Sequence, residues 1–410
     1  MLNKLIAAGL IAGLMIGLLA AATGHSALHA IANGSAPFGQ IFINGIRMIV
    51  IPLVVTIIFT SIARLGDVRA LGRIGGRTLG FYGLSLIPAI LIGMGIMALG
   101  LRFVPDLTMP AADAVTVPQL RGLTEFFVGL VPSNIFASAA KGAILPLIVF
   151  TALFAAAAGT LEASRRDRMV QGAEDISAAL IKLIWWILYL APIGVFGLIA
   201  PATAKMGWGV VQSLGVFILS VVLALALYLS LVYLPLLMWR AKIGPLAALK
   251  GLSGAITIAF STTSTATAIP VTREEVTQNF RVSETVADLI IPLGASLYRP
   301  GSALFQGAAI IFLAHIYGVP LAIGALGAIC LAVFLVSLTV APVPSSGVVT
   351  MAPALEAVGI PVAGLALILG VDRIPDMFRS SVNVIGQAAA AILVDQGEKQ
   401  DAETPDQSIS

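Results

Sequence analysis

The sequence predicts an all-α membrane protein in which long spanning helices are followed by two re-entrant helical hairpins. Hydrophobic residues fill 59% of the 410 positions and charged residues only 10%, whereas a water-soluble chain needs far more charge to cover its surface. Apolar stretches long enough to cross a bilayer core of ~30 Å recur along most of the chain. Because the alternating pattern of barrel strands is absent, we expect the spanning segments to be helices in a lipid bilayer.

The first spans follow directly from the apolar runs. We place them at about 4–23, 39–63, 75–102, 124–160, 173–204 and 209–239. The first run, with Lys4 before it and small residues after it, resembles a signal peptide. It is nearly as long as a full span, however, and further membrane segments follow, so we expect it to remain as an uncleaved first helix.

Basic residues separate into alternate connections between the spans. They precede the first span and follow the second, fourth and sixth: Lys4; Arg64, Arg69, Arg73 and Arg77; Arg165, Arg166 and Arg168; and Arg240, Lys242 and Lys250. By the positive-inside rule these connections are cytoplasmic. The sequence therefore predicts a multi-pass protein of a bacterial inner membrane with both termini in the cytoplasm.

Two later segments have a different pattern. The stretches "GLSGAITIAFSTTSTATAIPVTREE" (251–275) and "LAVFLVSLTVAPVPSSGVVTMAPALEAVGIPV" (331–362) each contain two apolar halves, too short to span alone, broken by Ser, Thr, Pro and Gly. Each is followed by a longer segment with polar interruptions, about 284–317 and 361–395. A re-entrant hairpin plus a helix, twice over, is typical of an inverted repeat around a site at the bilayer midplane. From Gln396 onward the polar tail is expected to be disordered.

The last long segment carries a polar stripe. At ~3.6 residues per turn its members share one helix face: Asp372, Asp376, Arg379, Ser380, Asn383 and Gln387. Each charge at the bilayer centre costs roughly 2.5–3.5 kcal/mol, so the stripe must face a cavity or a bundle interior. One interpretation is a structural i, i+3 ion pair between Asp376 and Arg379. The other is a binding face for a zwitterion with carboxylates, because the stripe offers an arginine, an aspartate, an amide and a hydroxyl.

Other kinds of chemistry lack a signal. The sequence has no Walker loop, no nucleophile with a base and no metal triad, and His25, His29 and His315 lack ligand-like spacing. The net charge of +3 comes without a basic cluster interleaved with aromatic residues. We therefore expect no enzyme activity, no cofactor, no metal site and no nucleic-acid partner.

From about residue 39 the chain resembles the dicarboxylate/amino acid:cation symporter family, the glutamate transporter homologues. The resemblance rests on six motifs in the family's order: "MIVIPLV" (48–54), "YLAPIGVFGLIA" (189–200), "AFSTTSTATAIPVT" (259–272), "PLGASLYRPGSALFQG" (292–307), "VPSSG" (343–347) and "VDRIPDMFRSSVNVIG" (371–386).

The resemblance implies an elevator-type fold of eight transmembrane helices and two re-entrant hairpins, assembled as a homotrimer. Scaffold helices 1, 2, 4 and 5 would hold a transport domain that slides across the membrane. Mapped onto this chain, the parts are 1–72 (helices 1 and 2), 73–123 (helix 3 and its loop), 124–208 (helices 4 and 5), 209–395 (the rest of the transport domain) and 396–410 (the tail).

The resemblance also implies substrate residues. Asp376 would bind an amino group, Arg379 a side-chain carboxylate, and Ser380 and Asn383 the main-chain carboxylate and amine. The implied pocket is completed by Thr265, Ser302, Val343 and Gly347. Relatives that carry plain C4-dicarboxylates usually lack the aspartate found here as Asp376, so its presence favours an acidic amino acid.

The chain departs from the family at the positions that bind sodium there. These altered positions are Ser85, Leu86, Tyr298, Pro300, Thr339, Val340 and Gln387. Two carboxylates and several supporting oxygens are absent from them, whereas sodium requires several oxygen ligands. The sequence therefore does not favour sodium coupling of the family type, and leaves a proton as a candidate coupling ion.

Arg299 stands at the same altered stretch. We hypothesise that it is a tethered cation that neutralises Asp372 or Asp376 and an incoming dicarboxylate, in place of bound cations. The alternative is that it snorkels or pairs structurally with Asp372.

Two other features remain open. Pro342, Ser345 and Ser346 stand where relatives favour glycines in the second hairpin, which would stiffen that gate or be neutral variation. For proton coupling the candidates are Asp372, Asp376, Asp288 and Glu125, none of which the sequence singles out.

The leading functional prediction is a secondary carrier of acidic amino acids or related dicarboxylates that is not coupled to sodium. The alternatives are a conventional sodium or proton symporter of C4-dicarboxylates, and an anion-conducting channel or sensor on the same scaffold.

Overall fold

The computed structural model describes residues 2–65, 72–105, 128, 131–140, 144–321, 323–338, 340 and 345–403. Within these ranges every regular element is a helix. Five of the described helices are long and apolar enough to cross a membrane, among them Lys4–Thr23 and Gly209–Arg240. The predicted class, an all-α protein with several membrane-crossing helices, is confirmed.

The described residues of the N-terminal half contain seven α-helices. They are α1 (Leu2–Thr23), α2 (Ser26–Gly34), α3 (Ala36–Leu65), α4 (Gly72–Gly100), α5 (Ile135–Ala140), α6 (Ile144–Gly159) and α7 (Ala163–Met206). The prediction of one helix over 124–160 is wrong, because Asn134 lies outside helical structure and starts a new helix. Its Oδ1 accepts hydrogen bonds from the N–H groups of Phe136 and Ala137, as a helix N-cap does.

The C-terminal half is divided into shorter pieces. They are α8 (Gly209–Tyr228), α9 (Leu234–Arg240), α10 (Pro245–Gly251), α11 (Ser253–Thr262), α12 (Thr265–Phe280), α13 (Glu284–Leu297), α14 (Pro300–Ile316), α15 (Ile323–Ser337), α16 (Ser346–Val349), α17 (Ala352–Ala357), α18 (Leu365–Val371) and α19 (Arg373–Glu403). A π-helical turn, Leu229–Tyr233, joins α8 to α9. The prediction that the tail is disordered from Gln396 onward is wrong in part, because α19 continues as a helix to Glu403. In this last part of α19, Glu398 Oε1 lies 2.7 Å from Arg77 Nη1.

The segment predicted as the first hairpin forms α11 and α12, joined by Thr263 and Ser264. Thr263 has a left-handed backbone (φ 54°) and Ser264 an extended one, which reverses the chain. At ~1.5 Å per residue these helices, of 10 and 16 residues, are each shorter than the bilayer core. In the second predicted hairpin, α15 precedes α16 and α17, and residues 339 and 341–344 lie outside the described part.

The segment 284–317 is interrupted at Tyr298 and Arg299, between α13 and α14. Tyr298 is extended (φ −122°, ψ 102°). Pro300 occupies the first turn of α14, where its ring fits the helix and its missing N–H leaves no hydrogen bond unmade. Pro300 therefore begins a helix and does not disrupt one.

The helices form two sets, and the helices of each set pack against one another. In one set α1 and α3 lie along α7, and α6 lies along α3; in the other α14 lies along α4, and α11 to α14 surround α19. The second set contains the hairpin tip, the helix break and the polar stripe, so its packing positions the candidate site.

The contact between α4 and α14 is a close backbone approach. A Cβ built on Gly93 would lie 2.2 Å from the carbonyl oxygen of Leu304, whereas one built on Gly95 would meet nothing within 4 Å. Glycine at position 93 therefore allows the two helices to touch.

We expect Gly93→Ala to force the two helices apart, at a cost of about 1–3 kcal/mol for overpacking. The thermal unfolding midpoint of the purified protein in detergent should fall. Gly95→Ala is the matched control on the same helix and should leave the midpoint unchanged or raise it slightly, because alanine favours helix over glycine. Equal midpoints for the two variants would contradict the close contact.

Candidate functional site

A buried pocket forms where the first hairpin tip, the helix break, the second hairpin and α19 meet. Its described lining is Thr263, Thr265, Arg299, Ser302, Val340, Ser346, Gly347, Asp376, Arg379, Ser380 and Asn383. Most of the residues assigned from the sequence to substrate binding are thus in one place. Val343 and Thr339 lie outside the described residues, and Val340, assigned to an altered sodium position, lines the pocket instead.

Arg379 is the centre of an ion cluster. Its Nε donates to Asp376 Oδ1 at 2.8 Å, and its Nη2 donates to Asp372 Oδ2 at 3.2 Å. The three side chains are almost completely buried, Arg379 being only 1% exposed. The guanidinium also lies over the ring of Phe305, 4.2 Å from its centroid, a cation–π contact. The i, i+3 ion pair considered from the sequence exists, and it shares its arginine with a second carboxylate.

Asp376 also connects the cluster to the second hairpin. Its Oδ2 accepts a hydrogen bond from the backbone N–H of Ser345 at 3.0 Å. Ser345 has a left-handed backbone (φ 58°), which directs its N–H toward the carboxylate. Two residues on, a Cβ built on Gly347 would lie 3.4 Å from the Arg379 guanidinium. The hairpin therefore closes against the ion cluster at close range.

Asn383 holds the start of α14 against α19. Its Oδ1 accepts from the N–H of Gly301 at 2.8 Å, and its Nδ2 donates to Ser302 Oγ at 3.3 Å. Gly301 is needed there, because a Cβ would lie 2.6 Å from the Arg379 carbonyl oxygen. The amide thus fixes the helix break beside the polar stripe.

Arg299 is buried in the same pocket but is bonded differently. It is 3% exposed, its Nη2 donates to the Ala295 carbonyl, and its Nε has no partner. Among the described residues, Arg299 forms no ion pair with a carboxylate. Arg299 pairs directly with neither Asp372 nor Asp376, because Arg379 already bonds to both.

A second buried donor in the pocket is also free. The hydroxyl of Thr265 has no hydrogen-bond partner among the described residues. Buried polar groups normally are paired, so Thr265 Oγ1, Arg299 Nε and Arg379 Nη1, which have no hydrogen-bond partner, mark the part of the pocket equipped to bind a polar ligand.

At three of the altered sodium positions, Ser85, Tyr298 and Gln387, polar groups form hydrogen bonds within the protein. Tyr298 bonds through its hydroxyl to Ser85 Oγ at 2.5 Å, and its carbonyl accepts from Gln387 Nε2 at 3.3 Å. Leu86 is buried in the hydrophobic core. No group of three or more His, Cys, Asp or Glu side chains suited to a metal ion occurs in the described part of the chain.

The sequence analysis missed three residues of the site, Thr263, Phe305 and Gln306. Gln306 is fully buried and its Nε2 donates to the Gly347 carbonyl at 3.0 Å. A signal for it existed, because Ser302 and Gln306 are four residues apart in a helix that is otherwise apolar. Thr263 receives a hydrogen bond from Arg373 at 2.8 Å, a contact across the fold that no local pattern indicates.

Of the remaining proton-coupling candidates, Asp288 lies at an exposed surface and is bonded to Arg273. Glu125 lies outside the described residues. Only Asp372 and Asp376 are in the ion cluster.

Comparisons with known proteins identify the family of the chain and several of its relatives. Residues 2–397 match the model of the sodium:dicarboxylate symporter family. The chain is 32% identical to the proton/glutamate-aspartate symporter of Escherichia coli K12, over 90% of this chain and 86% of that protein. It is also 32% identical to the proton/sodium-glutamate symport protein of Geobacillus stearothermophilus, over 89% and 88%, respectively. A C4-dicarboxylate transport protein of Anaeromyxobacter sp. strain K is 29% identical, over 94% of this chain and 87% of that protein.

A match over nearly the whole chain, together with a buried site of arginines, aspartates and an asparagine between two short helical segments, identifies a membrane transporter rather than an enzyme. The chain belongs to the sodium:dicarboxylate symporter family.

Proposed function

We propose that this protein is a secondary carrier of acidic amino acids, glutamate or aspartate, or of related dicarboxylates, and that it works without sodium. The observation that carries the proposal is the buried guanidinium of Arg299, which lies in the pocket with a free Nε and no carboxylate partner. A fixed cation with an unused donor is suited to a carboxylate, and it supplies the charge that a bound cation would otherwise bring.

The charge balance of the site supports the same proposal. Asp372 and Asp376 together carry two negative charges, and Arg379 and Arg299 two positive ones. The cluster around Arg379 alone is negative, and Arg299 restores neutrality. A carboxylate that enters next to Arg299 therefore meets a neutral site rather than a negative one, although no inorganic cation accompanies it.

The hydrogen bonds at the altered positions argue against a sodium site. The amide N–H of Gln387 points at the Tyr298 carbonyl, so a donor stands beside an oxygen that a cation would need. A cation there would have to displace this bond and would meet no carboxylate in return.

We expect L-aspartate or L-glutamate uptake into proteoliposomes to continue when sodium is replaced by choline on both sides. The physical reason is that Arg299 supplies the positive charge permanently. Uptake is measured with radiolabelled substrate, with and without an imposed pH gradient, and protein-free liposomes serve as the control. Strict dependence on sodium would overturn the proposal, whereas stimulation by the pH gradient would identify the proton as the coupling ion.

Proton coupling has a specific structural basis. Asp372 and Asp376 share the single guanidinium of Arg379, so the two carboxylates that could carry a proton lie together in the ion cluster. The relatives from Escherichia coli and Geobacillus stearothermophilus are named as proton and proton/sodium symporters. A proton-coupled carrier is therefore the second candidate within the same substrate class.

We expect Arg299→Met to weaken binding of L-aspartate about 10- to 100-fold, because a charge-assisted hydrogen bond to a carboxylate contributes about 1.5–3 kcal/mol. Arg240→Met is the matched control, since Arg240 is an exposed arginine at the end of α9. Affinity is measured by isothermal titration of the detergent-purified protein without sodium. Equal affinities in the two variants would assign Arg299 a purely structural role.

The substrate class depends on Asp376. An acidic amino acid brings an ammonium group that a plain dicarboxylate lacks, and Asp376 lines the pocket with a carboxylate able to receive it. The Anaeromyxobacter relative is named a C4-dicarboxylate transport protein, so both classes of substrate occur among similar proteins.

We expect Asp376→Asn to weaken L-aspartate binding about tenfold or more and to leave succinate affinity unchanged or improved. The side chain keeps its shape but loses the charge that pairs with an ammonium group. Competition of unlabelled L-aspartate and succinate against the same labelled ligand gives both affinities in one assay. A parallel loss for both compounds would show that Asp376 acts only through Arg379.

We further propose that the two packed sets of helices are the parts of an elevator. Helices α1 to α3 and α5 to α7 would form the scaffold of a homotrimer, and α4 and α8 to α19 the moving transport domain. The extensive packing of α1 and α3 on α7, of α4 on α14, and of α19 on the first hairpin helices α11 and α12 supports this division.

A further inference from the structure

A cluster of tyrosines lies directly behind the helix break. The chain has six tyrosines, and four of them meet here: Tyr82 on α4, Tyr228 and Tyr233 around the π-helical turn, and Tyr298 at the break. All four are buried. The π-helical turn spaces its residues five apart on one side, which brings the hydroxyls of Tyr228 and Tyr233 to 3.1 Å from one another.

The hydroxyls form a chain with one direction. Ser85 donates its only proton to the Phe81 carbonyl at 2.6 Å, so at 2.5 Å it must accept from Tyr298. Tyr298 has then used its proton and must accept from Tyr233 at 2.8 Å. Tyr233 accepts in turn from Tyr228, whose proton is shared with the Ser85 carbonyl at 2.8 Å.

Tyr298 is held at each of its polar groups and on its ring. Its N–H donates to the Gly294 carbonyl at 2.9 Å, and its carbonyl accepts from Gln387. Its ring stacks on Tyr82 with centroids 4.1 Å apart and an interplanar angle of 7°. Glycines allow this packing: a Cβ on Gly386 would lie 2.3 Å from the Tyr233 hydroxyl, and one on Gly294 would lie 2.8 Å from that of Tyr82.

The residue that follows Tyr298 is Arg299. The backbone of Arg299 lies outside helical geometry (φ −136°, ψ 71°), so no helix of its own fixes the direction of its side chain. The backbone at the break is set by Tyr298 on one side and by α14 on the other, where the Arg299 carbonyl accepts from the N–H groups of Ser302 and Ala303.

We propose that the hydroxyl chain from Tyr228 through Tyr233 and Tyr298 to Ser85 is a positioning unit that aims the Arg299 guanidinium into the pocket. These residues do not line the pocket and act on the ligand through Arg299. Neutral hydrogen bonds thereby order the helix break in the absence of a cation. The inference rests on the proposed function, because it explains how the structure positions Arg299 as the fixed charge.

The direction of the chain predicts an order of effects. Tyr298→Phe keeps the stacked ring but leaves the Tyr233 proton without its acceptor and Ser85 Oγ without its donor. Tyr228→Phe removes only the first donor. We expect dissociation constants for L-aspartate to rise about tenfold for Tyr298→Phe and Tyr233→Phe and about threefold or less for Tyr228→Phe. Tyr317→Phe is the control, because Tyr317 is a buried tyrosine on the same segment whose hydroxyl has no hydrogen bond in the described part of the structure, and its affinity should not change.

A double-mutant cycle separates positioning from general destabilisation. If the tyrosine chain acts through Arg299, then Tyr298→Phe should weaken binding in the parent protein and have no further effect in an Arg299→Met background. A merely structural role would give the same loss in both backgrounds. Unfolding midpoints of all variants, measured in parallel, should not follow the order of the affinities.

The parent protein is titrated with L-aspartate, L-glutamate and succinate, and the cycle uses whichever binds tightest. If the parent binds none of the three, the proposed function and this inference fall together. If the parent binds but Tyr298→Phe binds equally well, only the inference falls. Additive losses in the cycle would likewise overturn it while leaving the carrier proposal standing.

Discussion

The buried ion cluster of Arg379, Asp372 and Asp376 is the interaction on which the rest of the site depends. Four charges, including that of Arg299, lie together in a part of the protein that is hidden from water. An isolated charge in such surroundings is strongly disfavoured, and only close pairing with good hydrogen bonds makes burial tolerable. The surrounding helices therefore supply backbone and side-chain partners to these groups before any ligand binds: the Ser345 N–H bonds to Asp376, and the Ala295 carbonyl accepts from Arg299.

The interruption of the membrane helix follows from the same constraint. A continuous helix across 284–317 would use all its backbone groups internally and leave none for a ligand or a neighbour. The break at Tyr298 and Arg299 frees carbonyl and N–H groups inside the protein, and two of them bond to side chains: Gln387 Nε2 bonds to the Tyr298 carbonyl, and Asn383 Oδ1 to the Gly301 N–H. Both partners come from α19. The polar stripe of this helix thus binds the backbone of the break as well as facing the pocket.

Much of this arrangement could be predicted from the sequence, because local patterns of residues indicate it. The spacing of Asp376, Arg379 and Asn383 indicated one helix face, which agrees with their positions on α19; Asp372 directly precedes that helix. The partner of Arg299 could not be found in that way, since it depends on which carboxylates another arginine has already taken. The start of α5 at Asn134 was missed although Pro132, Ser133 and Asn134 interrupt the apolar run there, because hydrophobicity on both sides outweighed the proline and the capping residues. The hydroxyl chain required the π-helical turn, for which the residues of α8 and α9 carry no pattern.

Under the proposed function, Asp376 would link ligand recognition to movement of the second hairpin. One of its oxygens bonds to Arg379 and the other to the Ser345 N–H, so a ligand ammonium group that approaches Asp376 must share or displace one of these donors. Displacing Arg379 would leave a guanidinium buried with a single carboxylate, whereas displacing Ser345 would expose only a neutral N–H, which is the smaller loss. Binding of an amino group would therefore loosen the hairpin at Ser345 rather than the ion cluster. Gln306 on α14 opposes this loosening, because its Nε2 donates to the Gly347 carbonyl and so holds the hairpin two residues after Ser345. Ser345 to Gly347 would then lie between a contact that a ligand competes for and one that it does not.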